Sequence, residues 1–179
     1  MQALTRGSQI LYLEPSLYWV RDIEPHRLAL MPRPRGADEL GAEVAGWSRA
    51  GIALVVSLLE RSEIRELELQ AEPSLCADAG IQFLSFPIPD RGTPQSAREF
   101  SRLLSQVHTE LLNGSPVAIH CRAGIGRTGL VSGCLLRMLG VARKDVFHIL
   151  SRSRGLAVPD TSAQVEWVEK YVHAPAPSF

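Results

Sequence analysis

Cysteine is scarce in this chain: Cys76, Cys121 and Cys134 are the only three among 179 residues, and no two of them form a C-x-x-C pair. That excludes a disulfide framework. The five histidines (His26, His108, His120, His148 and His173) do not cluster at ligand spacing, so no metal site is expected either. Net charge is also missing, because 19 basic residues balance 19 acidic ones. No overall field therefore draws the chain to nucleic acid or to an acidic membrane surface. Long apolar runs are absent too. The stretch MQALTRGSQILYLEPSLYWV has one brief apolar segment, interrupted by Glu14 and Pro15 and too short for a signal peptide or a membrane span. These absences lead to the expectation of a reduced, cytoplasmic, monomeric protein with no metal, no cofactor, no nucleic-acid partner and no stable membrane association.

What is present is ordinary globular material, 45% hydrophobic and 21% charged, long enough for one domain with a real core. Short apolar runs alternate with amphipathic ones. RLALM (27–31), IALVVSLL (52–59), IQFLSFPI (81–88) and PVAIHC (116–121) read as strands. Helical periods run through 37–51, 60–70, 94–114 (with Pro94 at its start), 128–139, 143–153 and 160–172, with a shorter piece through Cys76 to Gly80. The tail APAPSF is expected to fray. Strand alternating with helix predicts an α/β layer sandwich with a central, mainly parallel sheet. In such sheets ligands bind at the carboxyl ends of strands, and two of those ends carry Cys121 and Asp90.

Cys121 sits in VAIHCRAGIGRTGL (117–130), among glycines and arginines rather than apolar neighbours. Gly124 and Gly126 free the backbone of the loop Arg122–Arg127 to turn successive N–H groups toward an anion. The helix that follows adds the positive end of its dipole. Arg127 offers a planar fork to two oxygens of a tetrahedral phosphate. The loop, including Ala123 and Ile125, reads as a phosphate cradle. The same field favours the thiolate, the nucleophilic form of cysteine. A nucleotide P-loop would need G-K-[ST], whereas the chain has Arg127-Thr128.

At these residues the sequence resembles the cysteine-dependent protein tyrosine phosphatase superfamily, whose signature is H-C-x5-R-[ST], and within it the small atypical dual-specificity phosphatases. The resemblance runs from YWV near residue 18 to EKY near residue 171, and includes GIALVVSLLE (51–60), FPIPDRGTP (86–94) and GLAVPDTSAQ (155–164). It implies a single catalytic domain over 1–179, with a core at about 18–172. It implies that Asp90 protonates the leaving oxygen and that Thr128 assists release of the thiophosphate. His120 is implied as a buried group that sets the strand end. Gln164 either orients the hydrolytic water or faces solvent. Glu60 pairs with the cradle arginine or simply starts a helix.

The resemblance also implies a phosphorylated protein substrate, bearing phosphotyrosine and also phosphoserine or phosphothreonine. No tyrosine-bearing loop that would deepen the pocket is evident. Phosphoinositides, inositol phosphates or phosphorylated sugars remain an alternative, supported by Arg122 alone, because the cradle has no lysine. A silent phospho-binding module is a third reading, against which Cys121, Arg127 and Asp90 are all present. A sulfurtransferase would have no need for Asp90 or Thr128. Arg33 and Arg35 in PRPRG either flank the cleft or form a solvated loop. An oxidised Cys121 has a possible disulfide partner in Cys76, and Cys134 reads as a core residue.

Overall fold

The structure, a computed structural model, describes residues 14–171. The tail APAPSF and the first 13 residues, with most of the brief apolar N-terminal segment, lie outside them. Five strands form one sheet in the order β1-β2-β5-β3-β4: β1 is Tyr18–Trp19, β2 Leu28–Met31, β3 Leu54–Ser57, β4 Gln82–Ser85 and β5 Val117–His120. β2, β5, β3 and β4 are mutually parallel, and β1 lies antiparallel on β2. The α/β sandwich with a mainly parallel sheet is thus the one expected. Each parallel pairing needs a crossover, and the helices supply it.

All residues of β2, β3 and β5 are buried, which is why their sequences are continuous apolar runs. Alternate side chains serve opposite faces. Leu28, Leu30, Leu54, Val56, Val117 and Ile119 share one core with α4 (Ala97–Leu112), α5 (Gly126–Met138) and α6 (Arg143–Arg154), through residues such as Phe100, Leu104, Leu135 and Leu150. Ala29, Met31, Val55 and Ala118 face α1 (Leu40–Arg49) and α3 (Glu72–Asp78), where Val44, Trp47 and Cys76 pack. The period of two sends Cys121 to the first face and turns His120 to the second.

Several elements are shorter than their apolar patterns, and the causes are local. β4 is a half-exposed edge strand that ends before Pro87 and Pro89, which cannot donate to a ladder. The helix predicted over 60–70 is α2, Arg61–Glu66; Glu68 beyond it is left-handed at φ 54°. Pro94 does not start α4. Ser96 does, its hydroxyl accepting the Glu99 N–H at 3.3 Å. α7 is Ser162–Lys170, capped by Thr161, whose hydroxyl accepts the Gln164 N–H at 3.3 Å. α5 begins at Gly126, two residues before the predicted start at 128, so the end of the cradle is already helix. Residues 37–51 divide into a 3-10 turn at Ala37–Glu39 and then α1. β1 is two residues long, too short to show any period. No helix among the described residues is long and apolar enough to cross a membrane.

Leu104 of α4 is fully buried against the sheet. Leu104→Ala is expected to lower unfolding stability by about 2–5 kcal/mol. Urea titration would show this as a lower midpoint at unchanged slope.

Candidate active site

From the end of β5 the chain turns through residues 121–125 into α5. Gly124 has φ +68°, and a Cβ there would lie 2.5 Å from the Met31 carbonyl oxygen and 2.7 Å from the Pro32 nitrogen. Both the backbone conformation and the space demand glycine. On the outer side of the turn stands Arg154, from the last turn of α6. Its Nε donates to the Gly124 carbonyl at 3.2 Å and its Nη2 to the Ala123 carbonyl at 3.0 Å, while its guanidinium carbon lies 4.1 Å from the centre of the Tyr18 ring. Carbonyl and N–H of one peptide point in opposite directions. With the carbonyls of residues 123 and 124 held outward, the N–H groups of residues 124 and 125 turn to the other side, and the free N–H groups of the first turn of α5 join them.

Arg127 is 2% exposed and engaged on every side. Nη1 donates to Glu63 Oε2 at 2.6 Å and Nη2 to Glu63 Oε1 at 2.8 Å, a two-pronged pair. Nη1 also reaches the carbonyls of Ile88 (3.1 Å) and Leu58 (3.4 Å), and Nη2 reaches Asp90 Oδ1 at 3.1 Å. Burial by itself would lower the Arg127 pKa. The hydrogen bonds to Glu63 and the attraction of Cys121, Glu63 and Asp90 outweigh it and raise the value. Burial pushes Glu63 up, and its hydrogen bonds to Arg127 and to the Glu60 N–H win, holding the carboxyl below the ordinary 4.5. The pair is charged on both sides. Glu60 is therefore not the partner of the arginine; it starts α2, and its Oε2 accepts the Asp90 N–H at 3.4 Å. Glu63, three residues on, went unnoticed in the sequence, although E-x-x-E at a helix start is a capping pattern.

The loop carrying Asp90 turns tightly, with Arg91 at φ 56° and the Gly92 N–H on the Pro89 carbonyl at 2.8 Å. The start of α7 holds it. Arg91 pairs with Asp160 at 2.9 Å, and the Gln164 amide donates to the Gly92 carbonyl at 3.0 Å. Gln164 is fully buried and does not face solvent. Its Oε1 accepts the Thr161 N–H at 3.3 Å and lies 2.9 Å from where a Cβ on Gly126 would be.

Asp90, Arg91, Cys121, Arg122, Ala123, Ile125, Gly126, Arg127 and Asp160 line one cleft of about 220 Å³. Gly124, expected with them, packs against the end of β2 instead. Arg122 is bound by Glu66 (Nη1 at 3.3 Å) and lies 3.7 Å from Glu63. Thr128 is buried at the start of α5, and its hydroxyl has no partner among the described residues. His120 is buried with Nε2 at 2.9 Å from Glu72 Oε1. Arg33 is exposed and donates to the Pro34 carbonyl, and Arg35 pairs with Glu39 and Glu43; neither lines the cleft. Burial pushes both other thiols up to about 12, and Cys76 lies in the core on the face of the sheet opposite Cys121. The geometry does not support a Cys76–Cys121 disulfide.

Glu63→Gln would leave the buried Arg127 charge with Asp90, which is 62% exposed, as its one remaining carboxylate among the described residues, and is expected to cost about 3–5 kcal/mol of stability. Because unfolding raises the affinity of Glu63 for a proton, its stabilising contribution is complete above pH 4.5 and is lost as pH falls through the lower folded value. Denaturation followed from pH 7 to pH 3 should therefore show a shallower acid dependence in Glu63→Gln than in wild type.

Known proteins show which scaffold this is. The family model PTP-SAK, described as "Swiss Army Knife protein, DSP-PTPase phosphatase domain", matches residues 18–171. Cyclin-dependent kinase inhibitor 3 of Rattus norvegicus is 28% identical over 124 residues, covering 68% of this chain and 58% of the relative. The chain spans less than two thirds of the length of curated relatives that it matches. Two crystal structures share the fold. Kinase associated phosphatase, with its catalytic site cysteine replaced by serine, superposes with a TM-score of 0.78 at 21% identity over 88% of this chain and 94% of its own. PTPMT1 in complex with PI(5)P gives 0.66 at 16% identity over 81% and 89%. With its match running from β1 to the end of α7, the chain belongs to the PTP-SAK family of DSP-PTPase phosphatase domains.

Proposed function

We propose that this chain is a metal-independent phosphatase, a single catalytic domain that hydrolyses phosphomonoesters on proteins through a phosphocysteine intermediate. The observation that carries the reading is one cleft lined by a cysteine, a buried arginine and an aspartate that the arginine touches. A substrate phosphate enters against the N–H groups of the cradle and takes over from Asp90 a donor of Arg127. Charge on its equatorial oxygens is then held by groups already in place, the largest contribution expected in phosphoryl transfer. The Cys121 thiolate attacks phosphorus in line and an S–P bond forms. The bond to the leaving oxygen breaks, and Asp90 gives that oxygen its proton. In the second step water attacks phosphorus, the Asp90 carboxylate accepts the proton of the water, and the S–P bond breaks to return the thiolate. Thr128, whose hydroxyl has no other partner among the described residues, donates to the departing sulfur. Gln164 holds the loop through one amide hydrogen and keeps the other for the water. The free thiol this requires suits a reducing compartment such as the cytoplasm.

A protein substrate, with phosphotyrosine as the default and phosphoserine and phosphothreonine admitted, agrees with the state of Arg122. That arginine is the one cradle cation able to meet an extra phosphate, and Glu66 and Glu63 already neutralise it. The likeness to PTPMT1, solved with PI(5)P, is one of fold and adds no weight to a lipid substrate.

The test is release of inorganic phosphate, with EDTA present, from phosphopeptides, phosphoinositides and sugar phosphates. Wild type is expected to act on the peptides and Cys121→Ser to fall to background. Asp90→Asn should lose about 10²–10⁴-fold in kcat on esters with poor leaving groups. Turnover of lipids or sugars alone would overturn the substrate, and no turnover by folded wild type would overturn the enzyme in favour of a binding module.

A further inference from the structure

We propose that Glu72 is a positioning residue for Cys121, acting through His120; the inference rests on the phosphatase reading and names a residue that reading does not use. His120 closes β5 immediately before the nucleophile, with its ring on the other face of the sheet. The side chains are 0% and 2% exposed, and Nε2 of His120 lies 2.9 Å from Oε1 of Glu72, the first residue of α3. The approach is short but off the line of a well-formed hydrogen bond, and Nδ1 has no hydrogen-bond partner among the described residues. In the register of the sheet, Met31 and Ser57 flank the histidine. Ser57 is buried and its hydroxyl also unpartnered.

Two polar groups this deep, on the face of the sheet whose core holds Met31, Trp47, Val55 and Ala118, hold a proton between them or neither is tolerated. A carboxylate at Nε2 selects the tautomer that carries its proton there and holds the ring, and with it the peptide that leads to Cys121, from the side of the sheet where neither the cradle nor Arg127 acts. The other charged or titratable groups are accounted for. Cys76 lies one turn along α3, and burial first and the Glu72 charge second push it to about 12. On the cleft side Arg127 is matched by Glu63 and Asp90, and Arg122 by Glu66. The basic group that Glu72 meets is the histidine.

Alkylation of Cys121 by iodoacetamide, read by mass spectrometry across pH, tests this without depending on turnover. Cys121, though itself 3% exposed, lines the cleft, whereas burial holds the Cys76 and Cys134 thiols at about 12, so labelling reports on Cys121. Glu72→Gln keeps the shape and removes the charge. It is expected to label about tenfold more slowly at neutral pH, with its curve displaced by about one unit to higher pH. kcat should fall in parallel while the inhibition constant of inorganic phosphate stays put, and Glu72→Asp should recover part of the loss. Labelling and kcat unchanged in Glu72→Gln would overturn the proposal, and so would loss of phosphate binding in step with kcat, the mark of a collapsed cradle. Should Glu72→Gln not fold, the nitrogen-15 spectrum of the wild-type His120 ring decides, because a ring protonated at Nδ1 alone excludes the arrangement. Wild type inactive on every ester would overturn the phosphatase reading and leave the labelling comparison to decide the part played by Glu72.

Discussion

The Arg127–Glu63 pair is the contact on which the rest of the site depends. One guanidinium, 2% exposed, ties the first turn of α5 to α2, to the end of the β3 strand through Leu58, and to the loop of Asp90 through Ile88. Buried pairs of this kind seldom add net stability over an apolar packing of equal volume. Their worth lies in geometry, since a planar fork locked by two bonds to one carboxylate cannot rotate. The partners of the arginine are unequal. Glu63 is 8% exposed and Asp90 62% exposed. An anion arriving in the cleft therefore displaces the partner that water can readily resolvate and leaves the buried one in place. In the proposed mechanism the arginine stays fixed while the Asp90 carboxyl is released toward the substrate.

The parallel sheet explains why these groups meet. β2, β3, β4 and β5 end at the same edge, so the loops that follow them all open on one side. The loop after β5 carries the cradle, that after β4 leads to Asp90, and that after β3 enters α2 and Glu63. Gly124 seats the cradle on the end of β2. The alternation within β5 then separates Cys121 from His120, giving the thiol one side of the sheet and its histidine neighbour the other.

The cradle was legible in the sequence because its parts are contiguous: strand, cysteine, glycines, arginine and helix follow one another within 14 residues. The strands were legible for a similar local reason, as burial on both faces writes itself as an unbroken apolar run. Asp90 was marked by its place after a strand, and its role as acid came only through the resemblance, since a proline-aspartate turn is common in any loop. Glu63, Glu72 and Arg154 were not legible. Glu63 lies 64 residues from Arg127, Glu72 lies 48 from His120 and Arg154 lies 33 from Cys121. In the sequence each is one charge among several on a short helix. What singles them out is burial or reach, which only packing decides. The helix ends were misplaced where a cap, Ser96 or Thr161, overruled a proline or an apolar period.

The two halves of the proposed chemistry rest on different supports. The nucleophile and its cradle are set by β5, α5 and Arg154, within a body of fully buried side chains. The loop of the acid is set by α7, through Gln164 on Gly92 and Asp160 on Arg91. Gln164 and Asp160 touch both, because they pack over Gly126 while bonding to Gly92 and Arg91. A disturbance in α7 would thus reach proton transfer before it reached the formation of the S–P bond. Leaving groups that need no proton would feel it least, and esters of serine and threonine, whose alkoxides leave poorly, would feel it most. In the proposed mechanism the breadth of substrate is accordingly set by how firmly α7 holds the Asp90 loop, and only secondarily by the shape of the cleft.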